Sequence, residues 1–518
     1  MPDHRDSFDV AVIGAGINGA GIARDAAGRG LSVLICDRGD PGGATSSASS
    51  KLIHGGLRYL QYFAFGLVRE SLTERARLLA AAPHLVRPMT FLMPLGPDSR
   101  PAWMVRLGLL LYDCLAGAKS VMASRAVRLG NDSLGAALKP DLRRGFVYGD
   151  CRVDDSRLVI VNLRAAADRG AEVLPRTACV RATRAGLHWQ MVLEDGRGGA
   201  RREVRARAVV NAAGPWAEQV SRGLLGFETE GGLRLVRGSH IVVPRVHAGD
   251  HALLLQNPDG RIVFVIPFED DFSLIGTTER AVASAAEVPA DGAAPASPEE
   301  IAYLCAAANR YLATPIAPDG VVWSFAGVRP LYDDGHLDDS AVSRDYRLLV
   351  DRIPGAGRDP AMALTVYGGK LTTYRHLAER AVNRIAPLFL RAPRARRVGG
   401  PWTDATALPG GTMPGGDFAA YVARRAALWP WLPRPHLEAL ARRHGSLLPI
   451  VLAGAQGIED LGRHFGAGLY ERELVWFRER EWARTGADVL WRRSKAGLHL
   501  DAAARAAVDA WMVAAAGV

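Results

Sequence analysis

The sequence predicts an α/β protein: a Rossmann-like nucleotide domain, an inserted antiparallel-sheet domain and a C-terminal α-helical cap. Three observations predict it. The stretch from Asp9 to Asp37, DVAVIGAGINGAGIARDAAGRGLSVLICD, reads as strand, glycine turn, helix, strand and acidic tip. The segment from about Gly226 to Asp319 contains three β-rich runs, GSHIVVP, RIVFVIPF and FSLIGTT. Beyond Asp417 the strong patterns are helical in period.

The first unit carries the nucleotide reading. VAVIG is apolar without alternation, as expected of a parallel strand covered on both faces. Gly14, Gly16 and Gly19 fill the GxGxxG positions. The first permits a tight turn, the second lets backbone approach a pyrophosphate, and the third allows close helix-to-strand packing. The helix N-terminus then favours the phosphates through its unpaired N–H groups and dipole. Asp37 stands where a ribose hydroxyl needs an acceptor, and a carboxylate there disfavours the 2′-phosphate of NADP.

After it, PGGATSSASSKLIHGGLRYL (Pro41 to Leu60) is a loop of small residues running into a short mixed segment. Helical periodicity from about Leu67 to Ala82 ends at Pro83, and an N-capped helix runs from Asp155 to a glycine stop at Gly170, with Asp154 and Asp155 as its caps. AEVLPRTACVRAT, LHWQMVLED and ARAVVNAAGPW read as short strands with hairpin-like spacing, the last returning to the buried pattern of the nucleotide fold. AVASAAEVPADGAAPASPEE reads as a solvated loop. VVWSFAGVRPLY and ALTVYGGKLTTYRHLAERAVNRI supply a further strand and a strand-turn-helix, and a shift to Pro, Gly and Arg near Arg391 to Asp417 marks a linker. FAAYVARRAAL, PHLEALARRHG, ERELVWFRERE and AAARAAVDAWMVAA form the cap. The expected division is a discontinuous nucleotide domain (1–80, 150–225 and 320–390), substrate-binding insertions (81–149 and 226–319), a linker (391–416) and the cap (417–518).

Composition narrows the partners. At 518 residues the chain exceeds one ordinary core, so two or three domains are expected. A net charge of +10 points at first sight to nucleic acid or an anionic membrane. Lysine, however, occurs only at Lys51, Lys119, Lys139, Lys370 and Lys495, the remaining positive charge is arginine, and no dense basic run appears. The charge is read as compositional, with no nucleic-acid partner. Cys36, Cys114, Cys151, Cys179 and Cys305 are odd in number and lack CxxC spacing, which implies a reducing compartment and no metal. MPDHRDSFDV runs straight into the first strand, so a signal peptide is not expected and a cytoplasmic location is. No apolar run approaches the roughly 20 residues that span a bilayer. The best, Trp103 to Ala118, is broken by Arg106 and Asp113, leaving peripheral attachment, with Trp103 to Leu115 as an amphipathic candidate.

NAD enzymes usually stop at the first fingerprint, whereas this chain returns to the nucleotide fold at ARAVVNAAGPW and again at YGGKLTTYRHLAER, a discontinuous pattern that favours FAD. The runs INGAGIARDAAGRGLSV, ATSSASSKLIHGGLRYL, GSHIVVPRVH, RIVFVIP, GVRPL and GGKLTTYR span Asp9 to about Arg375. With DLG, FG and WRRSK in the tail, they resemble the FAD-dependent (aerobic, respiratory) glycerol-3-phosphate dehydrogenase family over nearly the whole chain. Two departures stand out: Ala15 lies where the family has the middle glycine of the opening GGG in GGGINGAG, and Asp37 where glutamate is common. The resemblance implies an FAD-binding Rossmann-like domain and oxidation of sn-glycerol 3-phosphate to dihydroxyacetone phosphate by hydride transfer to FAD. Electrons then pass to a quinone at the cytoplasmic face of the inner membrane, where the protein is expected to attach peripherally. A glycerol-3-phosphate oxidase reducing oxygen to peroxide is the alternative, and a homodimer is left open.

Three tasks follow from that chemistry. For the phosphate, Arg58 and Arg329 are expected to grip, with Lys370 and the Tyr59 hydroxyl as helpers, because arginine's planar fork matches phosphate oxygens and both arginines sit in glycine-flanked settings. For proton removal the candidates are His240 and His54, beside Arg329 at the reacting centre. His240 is favoured as base because it begins a strand of the substrate sheet and faces the flavin from across the cleft, while His54 shapes the flavin face. For the cofactor, Thr45, Ser46 and Ser49 are expected along pyrophosphate and flavin, with Lys51, a lysine retained in a lysine-poor chain. Ala212 and Gly214 end a strand beside the cofactor, and Val180 lies where the family contacts adenine. Gly368 and Gly369 open a turn, and Lys370, Leu371 and Thr372 start a helix whose amides meet the flavin pyrimidine.

Overall fold

The computed structural model describes residues 6–227, 232–289, 294–333, 345–351, 361–390 and 398–516. Residues 290–293 of the expected solvated loop and 391–397 of the expected linker lie outside them.

Strand β1 (Ser7–Ile13) pairs in parallel with β2 (Val33–Cys36) on one side and with Arg201–Asn211 on the other. Buried on both faces, it has no room for polar alternation. The sheet runs in the order Arg347–Asp351, Met362–Tyr367, Arg201–Asn211, β1, β2, Glu172–Leu174, and only the first of these is antiparallel to its neighbour. Helix α1 (Ile17–Gly28) packs on one face with helices Asp155–Ala167 and Tyr374–Ile385. The other face is covered by an antiparallel extension, Thr177–Ala185 and His188–Asp195, in which Trp189 is buried and donates to the carbonyl of Met362 at 2.9 Å.

The second sheet is built around Gly232–Pro244. Its order is Arg280–Val282, Gly232–Pro244, Phe272–Gly276, Ile262–Phe268, Ala252–Gln256, Val86–Pro94, Arg144–Val153, Leu52–Ile53. Trp323–Asp333 also pairs with Gly232–Pro244, and Arg125–Arg128 with Arg144–Val153. The expected boundaries need correction at two places. Position 149/150 cuts through the continuous strand Arg144–Val153, and Trp323–Asp333, expected in the nucleotide domain, is hydrogen-bonded along its length into the second sheet. An apolar run bounded by turns carries no label for the sheet it joins. The loop reading of the segment ending in SPEE also missed a start signal. Ser297 and Glu300 form a capping box at the head of helix Pro298–Asn309.

The cap contains the expected helices, Phe418–Leu428, Arg434–His444, Glu471–Arg480 and Ala502–Ala516, and adds a small hairpin, His464–Gly466 with Leu469–Tyr470. It docks through buried ion pairs. Arg157 of the nucleotide domain grips Glu481, with Nη2 to Oε1 at 3.0 Å. Lys495 donates to Asp154 at 3.1 Å and to Ser156 at 2.6 Å. Beside this junction, Arg443 and His444 donate to Glu473 at 2.5 and 2.7 Å.

Burial alone would raise the Glu473 carboxyl, but Arg443 and His444 pull it down to about 2, and Arg157 likewise lowers Glu481. Both folded values lie below the unfolded glutamate value of about 4.3, so this stabilisation is complete above about pH 5 and is lost as pH falls toward about 2. The wild-type melting temperature is therefore expected to fall steadily between about pH 6 and about pH 3. Glu473→Gln is expected to lose about 3 kcal/mol at neutral pH, the cost of breaking a buried pair, and to show a shallower acid decline. Thermal melts across that range check both.

Candidate active site

The nucleotide end is shaped by backbone contacts that leave no room for side chains. A Cβ on Gly14, whose φ is +103°, would lie 2.5 Å from the carbonyl of Ala212, and one on Gly19 would lie 1.9 Å from the carbonyl of Gly14. Gly19 therefore packs α1 against the turn and does not itself line the cavity. The Ser46 hydroxyl accepts from the Ile17 N–H at 3.0 Å, at the first turn of α1, and Thr45 donates to the carbonyl of Val328 at 2.6 Å. Asp37 accepts from the amides of Ala15 at 2.7 Å and Gly39 at 2.8 Å, while burial raises its pKa.

From here a cavity of about 1630 Å³ passes Gly14, Gly16, Asp37, Thr45, Ser46 and Ser49, the ends of the strands at Ala212 and Gly214, and reaches the second sheet. Its volume exceeds the ~300–1,000 Å³ of ordinary small-ligand sites and suits a dinucleotide with a substrate beside it.

The sheet presents the reacting groups by its period of two. Across one row, Phe325, His240, Gly276 and Phe264 are register partners, so their side chains share a face. The His240 ring stacks on Phe325, with centroids 5.0 Å apart, and fills the gap left by Gly276, where a Cβ would sit 2.0 Å from its Cδ2. On the same face, Gly238 and Gly327 oppose each other and Arg329 opposes Val236. Gly238 leaves space for the Arg329 guanidinium, which a Cβ would approach to 3.0 Å. His240 is buried, its Nε2 lies 2.8 Å from the Ser50 hydroxyl, and its Nδ1 has no hydrogen-bond partner. Burial first, then the charges of Lys51 and Arg329, push its pKa down to about 3. The ring is neutral at physiological pH.

Two chain segments face this row. The turn at Gly368–Gly369 is tied to α1 by Asn18, which donates to the Gly368 carbonyl at 3.1 Å, and brings Lys370 4.0 Å from the centre of the Tyr59 ring. His54, half-buried and lining the cavity, donates its backbone N–H to Thr372 at 3.3 Å. Beneath it the Gly55 N–H donates to Tyr112 at 2.9 Å, Tyr112 donates to Asp150 at 2.7 Å, and Arg75 donates to the same carboxylate at 2.5 Å. Arg58 and Arg329 converge on one carboxylate, Glu279, at 3.9 and 3.5 Å.

Most expected site residues line one cavity: His240, His54, Arg329, Arg58, Tyr59, Lys370, Leu371 and Thr372 join the nucleotide-end set. Three expectations need correction. Lys51 does not line the cavity: it takes a positive φ of 57°, and its buried ammonium donates to Asp155 at 2.8 Å and to the Ser47 carbonyl at 3.0 Å. Asp155 is thus more than a helix cap, since it also accepts from Ser49 at 2.7 Å. Val180 stands at a break in strand register between Cys179 and Arg181, is 43% exposed and lies off the cavity, which Thr177, Ala178 and Cys179 line instead. Leu371 and Thr372 belong to the turn before helix Tyr374–Ile385 and not to its first turn. Glu279, Asp150 and Gly276 were missed. Only Gly276 carried a signal, as an isolated glycine in the strand FSLIG.

Comparison with known proteins agrees with this geometry. The family model for FAD dependent oxidoreductases matches residues 9–374. A Pseudomonas aeruginosa glycerol-3-phosphate dehydrogenase is 47% identical over 95% of this chain and 92% of its own. The Escherichia coli aerobic glycerol-3-phosphate dehydrogenase is 45% identical over 98% of both chains. The chain belongs to the FAD-dependent glycerol-3-phosphate dehydrogenase family. A Brucella abortus relative of the same closeness, 45% identical over 98% of both chains, is named D-erythritol 1-phosphate dehydrogenase. Among solved structures, a Bacillus halodurans glycerol-3-phosphate dehydrogenase complexed with FAD matches with a TM-score of 0.70 and 26% identity, covering 96% of this chain and 87% of its own.

FAD is the cofactor of this family, and the residues here fit it. The glycine cradle that a Cβ would fill, the Asp37 acceptor and the Gly368–Thr372 turn line one cavity and suit pyrophosphate, ribose and flavin respectively. Gly276→Ala tests the row of the dehydrogenase that holds His240. The added methyl must displace the imidazole, so kcat is expected to fall by about tenfold or more while bound flavin, read from its visible spectrum, stays at the wild-type level.

Proposed function

We propose that this protein oxidises sn-glycerol 3-phosphate to dihydroxyacetone phosphate and passes the electrons to a membrane quinone. The observation that carries the reading is that Arg329, on the same sheet face as the neutral, buried His240, shares the Glu279 carboxylate with Arg58 of the neighbouring segment Leu57–Tyr62. Arg58 and Arg329 take the phosphate dianion in charge-assisted hydrogen bonds, with Lys370 and the Tyr59 hydroxyl beside them. The bound dianion offsets the field of Arg329 at His240 and so raises the basicity of an imidazole that is otherwise a weak base. Neutral His240 then accepts the proton of the substrate's secondary hydroxyl, while Ser50 and Phe325 fix its ring. Bound FAD supplies the hydride acceptor. His54, held by Thr372 and the Gly55–Tyr112–Asp150 network, shapes the face on which the alcohol carbon lies.

A quinone route is supported by how the cavity continues. It passes Leu60, Phe63 and Phe65 to Met104, Leu107, Gly108 and Leu111 of helix Ala102–Ala116. That helix buries Leu109 and Tyr112 but leaves Trp103 68% and Leu107 60% exposed, next to Phe63 at 78%. Among the described residues no helix is long and apolar enough to cross a membrane. An apolar helix face leading into an apolar passage suits a protein resting on the cytoplasmic leaflet and drawing quinone from it.

A second reading, supported by the relative named for D-erythritol 1-phosphate, is a four-carbon substrate held by the same phosphate grip. Anaerobic addition of each sugar-alcohol phosphate separates the two. Glycerol 3-phosphate is expected to bleach the visible flavin band at the higher kcat/KM, and a soluble quinone analogue to restore it much faster than oxygen does. Preferential bleaching by erythritol 1-phosphate would reassign the substrate, and rapid oxygen turnover with peroxide would make the protein an oxidase. Arg58→Gln and Arg329→Gln are each expected to raise KM about tenfold or more, the loss of a charged hydrogen bond worth ~1.5–3 kcal/mol. Trp103→Glu with Leu107→Glu is expected to abolish flotation with anionic vesicles, and unchanged flotation would remove this helix as the contact.

A further inference from the structure

The geometry points to a second role for the C-terminal cap: it closes the adenosine end of the FAD site. The family model ends at residue 374, well before the cap begins. Yet Thr485, Ala487, Asp488 and Arg492 of the cap line the same cavity as the glycine turn.

Their place along the cofactor follows from the nucleotide fold. Pyrophosphate belongs at the glycine turn and ribose at Asp37, so adenine lies beyond the tip of β2. The chain that runs along that tip is the start of strand Thr177–Ala185. Thr177 donates its N–H to the Asp37 carbonyl at 2.7 Å and Arg176 donates its own to the Gly39 carbonyl at 2.9 Å. Arg176 then reaches across to the cap. Its Nη2 donates to both oxygens of Asp488, at 2.8 and 2.6 Å. From the cap side, Arg492 donates to Asp40 and Arg493 donates to the other oxygen of Asp40 at 2.9 Å. Asp488 is itself oriented by the amides of Arg484 at 2.7 Å and Thr485 at 3.0 Å.

Two crossed sets of ion pairs therefore latch the cap to both sides of the tip, with Ala487 exposed toward the space between them. The latch holds three arginines against two carboxylates. Its surplus positive charge faces a cofactor that carries a negatively charged pyrophosphate. The flavin half of the site contains no cap residue among those lining it, so the cap acts on the AMP half of FAD and leaves the flavin half to the loops described above.

The experiment compares FAD with FMN, which lacks the AMP half. Apoprotein of the full chain is titrated with each flavin by fluorescence quenching, for wild type, Ala487→Phe, Arg492→Gln and the cap-surface control Arg434→Gln. Ala487→Phe places a ring in the adenosine space without touching the ion pairs. Arg492→Gln removes one lining cation and leaves the space open. Both are expected to weaken FAD binding by about tenfold or more while FMN binding matches wild type and the control stays unchanged. The apoprotein melting temperature is expected to match wild type in Ala487→Phe and to fall in Arg492→Gln, which also breaks the pairs to Asp40 and Asp488. FAD binding within about twofold of wild type in both variants would overturn the proposal. An equal loss of FMN and FAD affinity in either variant, or a fall in apoprotein melting in Ala487→Phe that parallels its loss of FAD, would also overturn it, since a purely structural cap would behave so.

Discussion

The buried ion pair between Lys51 and Asp155 is the constraint on which both halves of the site depend. It closes the base of the loop from Ala44 to Ser50, and every other anchor of that loop follows from where the base is fixed. Ser49 is held by the same carboxylate, Ser46 meets the start of α1, Thr45 meets Val328, and Ser50 meets His240. One short loop thus sets the distance between the nucleotide turn and the substrate sheet. Gly327 lets it approach, since a Cβ there would lie 2.8 Å from Ala48. A buried pair of this kind is a poor source of net stability, because desolvation offsets much of the attraction, but breaking it leaves an uncompensated charge. Its value here is positional.

The same pair sets the electrostatics. Lys51 lies 5.0 Å from the centre of the Phe325 ring, on which His240 stacks, and its charge helps keep that imidazole neutral. Burial lowers the Lys51 ammonium itself, and Asp155 opposes the shift by favouring the charged form. The histidine therefore feels two cations, Lys51 and Arg329, and the second of these also pairs with Glu279. A base in that position is sensitive to what binds beside it. In the proposed function, coupling of proton removal to phosphate occupancy would follow from this charge layout without a moving part.

Much of this was legible in the sequence, and the unread parts share a cause. Gly14, Gly16 and Asp37 follow from a local pattern in which backbone sterics act within a few residues. His240, Arg58 and Arg329 stand out because their residue types fit the phosphate and proton tasks implied by the family resemblance, and all three line the cavity. Lys51 was assigned to the right loop but the wrong partner, because a positive φ at a lysine turns its side chain inward and no local pattern announces that. Asp155 lies more than a hundred residues away, and Glu279 meets Arg58 from a strand end with no motif of its own. Trp323–Asp333 was placed in the wrong sheet because pairing register is settled by tertiary contact. The helical cap was visible as periodicity, whereas its reach into the cofactor cavity depends on single side chains meeting across the fold.

The layout also decides where substrate length is discriminated. In the proposed function, a phosphate held by Arg58 and Arg329 and a hydroxyl proton directed at His240 would fix two points of any sugar-alcohol phosphate and leave the carbons beyond the reacting centre as the variable. Glycerol 3-phosphate and erythritol 1-phosphate present the same grip at those two points. An added carbon carries an added hydroxyl, and a site with a partner for it gains a hydrogen bond, while one without leaves a polar group buried and unpaired. Along this part of the cavity Leu254 and Phe264 supply apolar wall, and Gln256 and Asn257 are polar side chains near them. Under the proposed function, discrimination between the two alcohols would therefore fall to the walls beyond the reacting centre and not to the arginines.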